Sequence, residues 1–259
     1  MNIKYYSFFL LIFALIIWEI FCQTSSVSYL IIPPPSDVFT VLWDGLITGY
    51  LLIHIWATTL EMILGLLIGC TVGFLFGLLL EENKFLRNLL WPYIIASQVI
   101  PKLALGPIFI IWFGFGMTST VIITALICFF PLLENTITGT QYISLEKREL
   151  FRILGATRMQ TLFKLKIPNG LPVILAGVRV SVVLALVGAV VGEFLSGKVG
   201  LGASIIAAQG MMDSALMFAI FIIITFIGMF FYQVTIILER WLLNRHNRGK
   251  QNEINYNIP

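Results

Sequence analysis

Along this chain, apolar residues come in long uninterrupted blocks separated by short polar breaks. That pattern belongs to membrane crossings, because a soluble fold shows strand alternation or one-sided helical stripes instead. The first block, Tyr6 to Cys22, predicts a span over residues 5–24. It reads as a retained helix and not a cleaved leader, since Glu19, Ile20, Phe21, Cys22 and Gln23 hold no small-x-small cleavage pattern. Thr24 to Tyr50 follows with Pro33, Pro34 and Pro35 and no Lys or Arg. Three consecutive prolines favour an extended conformation, with a short interfacial helix from Ser36, as N-cap, to Trp43. Five more blocks predict further crossings: Leu52 to Leu80, Leu89 to Phe113, Ser119 to Thr140, Val173 to Leu195 and Ser214 to Leu238. Gly114 to Thr118 makes a tight return, and Ser196 to Asp213 is a Gly-rich connection. The expectation is an all-α polytopic membrane protein of about six spans, one transmembrane domain over 1–259 with its core at 52–245 and a flexible tail at 247–259.

One polar interruption is far longer than a tether needs to be. Residues 141–172 read QYISLEKRELFRILGATRMQTLFKLKIPNGLP and sit between the fourth and fifth blocks. Leu145 to Leu154 has helical composition, with Ser144 as N-cap and Gly155 suited to a left-handed C-terminal cap. Thr157 and Gln160 fit a capping box that opens a second helix, expected to stop before Pro168. Apolar residues (Leu150, Phe151, Leu154, Phe163) are mixed with cations throughout. From spacing alone, this element either docks on a partner or lies on an anionic membrane surface.

Composition agrees with the blocks: 59% hydrophobic, 11% charged and a mean hydropathy of +0.96, where a soluble domain carries about a quarter charged residues. With both termini inside, thirteen of the sixteen Lys and Arg lie on the cytoplasmic side. They are Lys4, Lys84, Arg87, six in the 141–172 loop (Lys147, Arg148, Arg152, Arg158, Lys164, Lys166) and four in the tail. The predicted topology therefore puts that loop in the cytosol. No basic stripe interleaved with aromatics supports nucleic-acid binding. The three cysteines and two histidines form neither a disulfide framework nor a metal site.

Ionisable side chains at membrane depth cost about 2.5 to 3.5 kcal/mol each, so Glu19, Glu61, Lys102, Glu134, Arg179 and Glu193 need reasons. Glu19 and Glu134 fall near span ends and can snorkel to water. Lys102 follows Pro101, where it either satisfies a freed carbonyl or attracts an anionic solute. Arg179 serves as an interfacial anchor, pairs with Glu149 or Glu134, or faces a pathway. Glu193, ahead of Gly197, Gly200 and Gly202, either caps backbone or acts in a gate. Gly188 and Gly192 on its helix permit close approach or line a passage.

Several runs together resemble one family. Glu149, Leu150, Phe151, Gly155 and Ala156, followed by Ile167 to Pro172, are similar to the EAA loop of ABC importer permeases, with Leu150 and Phe151 replacing its usual small residues. PPPSDVF (33–39), PKLALGPIFIIWFGFG (101–116), FFPLLENTITG (129–139), LAGVRVSVVLALVGAVVGE (175–193) and GLG (200–202) resemble the branch serving nitrate, sulfonate, taurine and thiamine-pyrimidine precursors. The resemblance implies a bacterial inner-membrane permease subunit that pairs with a second permease copy, two ATPase subunits and an external solute-binding protein. Its coupling loop would comprise Arg148, Glu149, Leu150, Phe151, Arg152, Leu154, Gly155, Ala156 and Thr157, with Lys102, Arg179 and Glu193 as pathway or gate residues. No cofactor is expected on this chain, ATP and magnesium being held by the ATPase; no G-x-x-x-x-G-K-[ST] loop occurs here. H-E-x-x-H and G-x-S-x-G are absent too, so an enzyme is not expected. The rival readings are an ion-coupled secondary carrier or channel, for which no two related halves are visible, and a structural scaffold, which gives the capped loop no purpose.

Overall fold

The computed structural model describes residues 3–24, 28 and 30–255, and among these every regular element is helical. Helix α1 (Ile3–Thr24) leads through the proline segment to α2 (Pro35–Ile47), and Gly49 turns the chain into α3 (Tyr50–Glu82). Ser36 does not cap α2; Pro34 occupies that position in an extended conformation and offers no side-chain acceptor. Glu19 of α1 caps the helix instead, accepting hydrogen bonds from the Ser36 amide (3.0 Å) and hydroxyl (2.9 Å). The carboxylate thus satisfies a free N–H and complements the helix N-terminus.

The third block is broken where one span was expected. Helix α4 (Lys84–Val99) ends because Pro101 drives Ile100 out of the helical region (ψ 123°). A 3-10 turn at Lys102–Leu105 then leads into α5 (Gly106–Phe113). Helix α6 (Met117–Gln141) returns across the bundle, and the polar loop contains α7 (Leu145–Ile153) and α8 (Arg158–Thr161). Pro168 does not stop the second loop helix. A wide π turn at Leu162–Lys166 precedes it and runs on into α9 (Ile167–Ser196), at the point where Lys164 has lost its usual N–H donor to the proline. Helix α10 (Leu201–Gly210) occupies most of the expected Gly-rich connection, and α11 (Ser214–Asn255) follows. The region expected as a tail is helical to Asn255, and residues 256–259 lie outside the described residues.

Among the described residues, four stretches are long and apolar enough to cross a membrane: α3, α6, Arg158–Ser196 and Ser214–Asn244; Ile12–Thr24 is a shorter apolar helix. Helices α3, α6 and α9 form the centre, each touching the other two. Their approach is set by glycine. Gly65, Gly69, Gly73 and Gly77 repeat every fourth residue on α3, and a methyl group on any of them would collide with α6 at Thr124, Ala125, Phe129 or Thr136. Gly188 and Gly192 of α9 likewise meet Thr124 and Thr120 of α6, so they serve close approach. Gly139 and Gly170 face each other where α6 and α9 cross beside the polar loop. Such contacts replace the missing hydrophobic drive between helices in lipid.

Candidate functional site: a capped polar loop and a buried polar latch

Two arrangements stand out, one at each end of the bundle. At the loop end, Arg148, Glu149, Leu150, Phe151 and Arg152 form the body of α7. Ser144 makes no side-chain cap there. The C-terminus closes as expected: Leu154 is the last half-helical residue and Gly155 adopts φ +66°. The Gly155 amide donates to Arg152 O (3.1 Å) and the Ala156 amide to Phe151 O (3.0 Å), the paired bonds of a Schellman closure. Two residues later, Thr157 Oγ1 accepts from the Gln160 amide (3.2 Å) while Gln160 Oε1 accepts from the Thr157 amide (2.8 Å). Both ends of the Gly-Ala-Thr turn are therefore fixed by hydrogen bonds.

The loop is also fastened to the bundle. Asn169 Nδ2 donates to Tyr142 O (3.0 Å), and Lys147 Nζ donates to Asn169 Oδ1 (3.4 Å). Lys166, in the π turn, reaches α3 and bridges Glu81 (2.7 Å) and Glu82 (2.5 Å). While its base is tied down, α7 buries none of its residues. Leu145, Leu150, Ile153 and Leu154 are 76%, 53%, 80% and 70% exposed. Three exposed leucines and Ile153 are thus interleaved with Arg148, Glu149 and Arg152 on one short helix.

At the opposite end, Glu193 lies on α9 with 1% of its surface exposed. Its Oε1 accepts from the Thr58 hydroxyl of α3 (2.6 Å), and its Oε2 accepts from the Gly202 amide at the start of α10 (2.5 Å). The Leu201 amide donates to Thr58 Oγ1 (2.8 Å), and the Gly200 amide to His54 Nδ1 (3.0 Å). The free N–H groups that open α10 are thus distributed over three side chains from two helices. Gly200 is required here, because it has φ +135° and a methyl group would fall on the Glu193 carboxyl. Glu61, one turn from Thr58, is also buried and neighbours Glu193.

The three intramembrane residues expected near a pathway are not brought together. Lys102 sits in the break between α4 and α5 with its ammonium 4.5 Å from the centre of the Phe130 ring. Arg179 pairs with Glu239 of α11 at 2.7 Å, a partner that sequence reading did not offer, and Glu134 is exposed. Sequence reading also missed Thr58, His54, Lys166, Glu81 and Glu82 as working residues. Nothing local marks the first three, whereas Glu81 and Glu82 were visible as the acids that close the apolar run of α3.

Residues 65–248 match the family described as Binding-protein-dependent transport system inner membrane component. The riboflavin transport system permease protein RibX of Chloroflexus aurantiacus is 37% identical over 233 residues, covering 90% of this chain and 87% of that one. The formylaminopyrimidine transport permease protein ThiX of Halalkalibacterium halodurans is 35% identical, covering 91% and 93%. In fold, the chain is similar to an inward-facing structure of the MetNI methionine ABC transporter, with a TM-score of 0.65 and 17% identity over 73% of this chain and 94% of that one.

Proposed function

We propose, from the premise that the chain belongs to the binding-protein-dependent transport system inner membrane component family and is the multi-pass permease subunit of an ABC importer, a specific division of labour among its parts. The 141–172 loop faces the cytoplasm, as do both termini. Helix α7 enters a groove on a separate ATPase subunit: Leu150, Phe151 and Leu154 fill it, Arg148, Glu149 and Arg152 line its rim, and the Gly155-Ala156-Thr157 turn sets the approach. ATP and magnesium belong to that subunit. A second permease copy completes the passage, and a solute-binding protein delivers cargo at the other face.

The single observation behind this reading is the contrast within the loop: hydrogen-bonded closures on both sides of its turn, a base fastened to the bundle, and a helix of mixed apolar and charged residues, none of them buried. A surface-lying loop has no need of that stiffness, whereas transmitting a partner's movement does. For the cargo we propose a small anionic or polar solute. Proteins similar to this one carry names for riboflavin, formylaminopyrimidine, aliphatic sulfonates, taurine and nitrate. Arg179 is matched by Glu239, so Lys102, at a helix break, is the cation left to favour an anion. Glu193 serves as the far-end latch.

Charge reversal at both rim cations (Arg148→Glu with Arg152→Glu) is expected to lower co-purification of the ATPase several-fold while leaving the permease inserted. Normal yield of the assembled complex would overturn the docking. Titrating the partner solute-binding protein with taurine, nitrate, riboflavin and formylaminopyrimidine identifies the cargo.

A further inference from the structure

Lys166 stands apart from the other loop cations because it points back into the protein. Its side chain is 14% exposed, and those of its partners Glu81 and Glu82 are 7% and 27% exposed. An ammonium has three donors, and two of them are spent on acids that close α3. The pair is too enclosed to be a water-screened surface bridge, and removing one partner would leave buried charge behind. Its position in the chain follows from the π turn. One additional residue in a helical turn rotates everything beyond it by about 100°, so the Leu162–Lys166 turn sets the register that aims Lys166 at α3.

Helix α3 continues from this clasp to the other end of the bundle, where Thr58 and His54 hold the amides of Leu201 and Gly200. Thr58 and Glu81 are separated by 23 residues, roughly 35 Å of helix at 1.5 Å per residue. One rigid element therefore touches the loop module at one end and the α9–α10 turn at the other. The link from α7 to the clasp is short, through Lys147, Asn169 and the π turn.

We infer that Lys166 is a positioning residue that fastens the coupling loop to α3, so that displacement of α7 travels along α3 to the 200–203 turn. This rests on the reading that an ATPase grips α7. The test uses the permease assembled with its ATPase in nanodiscs. Spin labels at Asp44→Cys and Lys198→Cys, both exposed positions, report on the turn with and without ATP and vanadate. The comparison is between the parent, Lys166→Arg, and the triple variant Lys166→Met, Glu81→Gln, Glu82→Gln, in which no unpaired charge remains to unfold the site.

The expected result is a nucleotide-dependent change of several ångström in the parent and in K166R, lost in the triple variant although its ATPase co-purifies at the parent's stoichiometry. An unaltered shift in the triple variant, or none in the parent, overturns the inference. Failure of the parent to bind any ATPase would instead sink the reading beneath it, and co-purification distinguishes the two.

Discussion

Replacing Gly155 isolates the contribution of one backbone angle to docking. A Cβ built at this position meets nothing within 4 Å, so substitution brings no clash. The penalty comes from φ +66° alone, which costs an L-residue roughly 1–2 kcal/mol, is steeper for β-branched side chains and is smallest for Asn. If the loop must hold this turn to present α7, that cost is charged to assembly. Weakening by about 1–2 kcal/mol corresponds to a factor of about 5–30 in an equilibrium constant. Gly155→Ala should therefore weaken ATPase binding to nanodisc-embedded permease within that range, Gly155→Val should weaken it more, and Gly155→Asn should remain close to the parent. Surface-immobilised permease titrated with purified ATPase gives the constants directly. Equal affinity for all four proteins would refute the reasoning, and so would an Asn variant as impaired as Val, since that result follows from side-chain bulk and not from the backbone angle.

Two further substitutions probe the bundle. Gly139→Ala places a methyl group 2.8 Å from Gly170 O, forcing α6 and α9 apart; overpacking of this kind costs about 1–3 kcal/mol and should lower the melting temperature in detergent, an unchanged value arguing against a tight crossing. Glu193→Ala removes the acceptor shared by the Thr58 hydroxyl and the Gly202 amide, leaving buried donors unmet at about 1–3 kcal/mol each; faster amide hydrogen exchange at 200–203 is expected, and parent-like protection there would remove the latch.

Much of the bundle could be read from hydropathy because long apolar blocks have few alternatives in a membrane. The Gly155 turn and the Thr157–Gln160 box were equally plain, since each depends on residues within five positions of one another. Three features were less accessible. The capping of α2 passed from Ser36 to Glu19, which lies 17 residues earlier, because the helix begins at Pro35 and leaves Ser36 in its first turn, where its amide and hydroxyl are both donors. Pro168 did not end its helix, because the π turn supplied the slack that a proline rule assumes to be missing. The ties of Lys166 to Glu81 and of Glu193 to Thr58 join positions 85 and 135 apart, and only the packing of α3, α6 and α9 brings them together. The four-residue glycine spacing from Gly65 to Gly77 is the trace of that packing in the sequence, and a reading by hydropathy passed over it because it registers apolar length and not side-chain size.

The glycine row on α3 also bears on motion. Interlocked side chains resist slippage, because each must leave its slot before the next can be entered. Here much of the seam is backbone resting on backbone, with Gly69 over Ala125 and Gly73 over Phe129, and few teeth to disengage. Such a surface acts as a plain bearing, along which one rod can glide a fraction of a turn past its neighbour without repacking the interior.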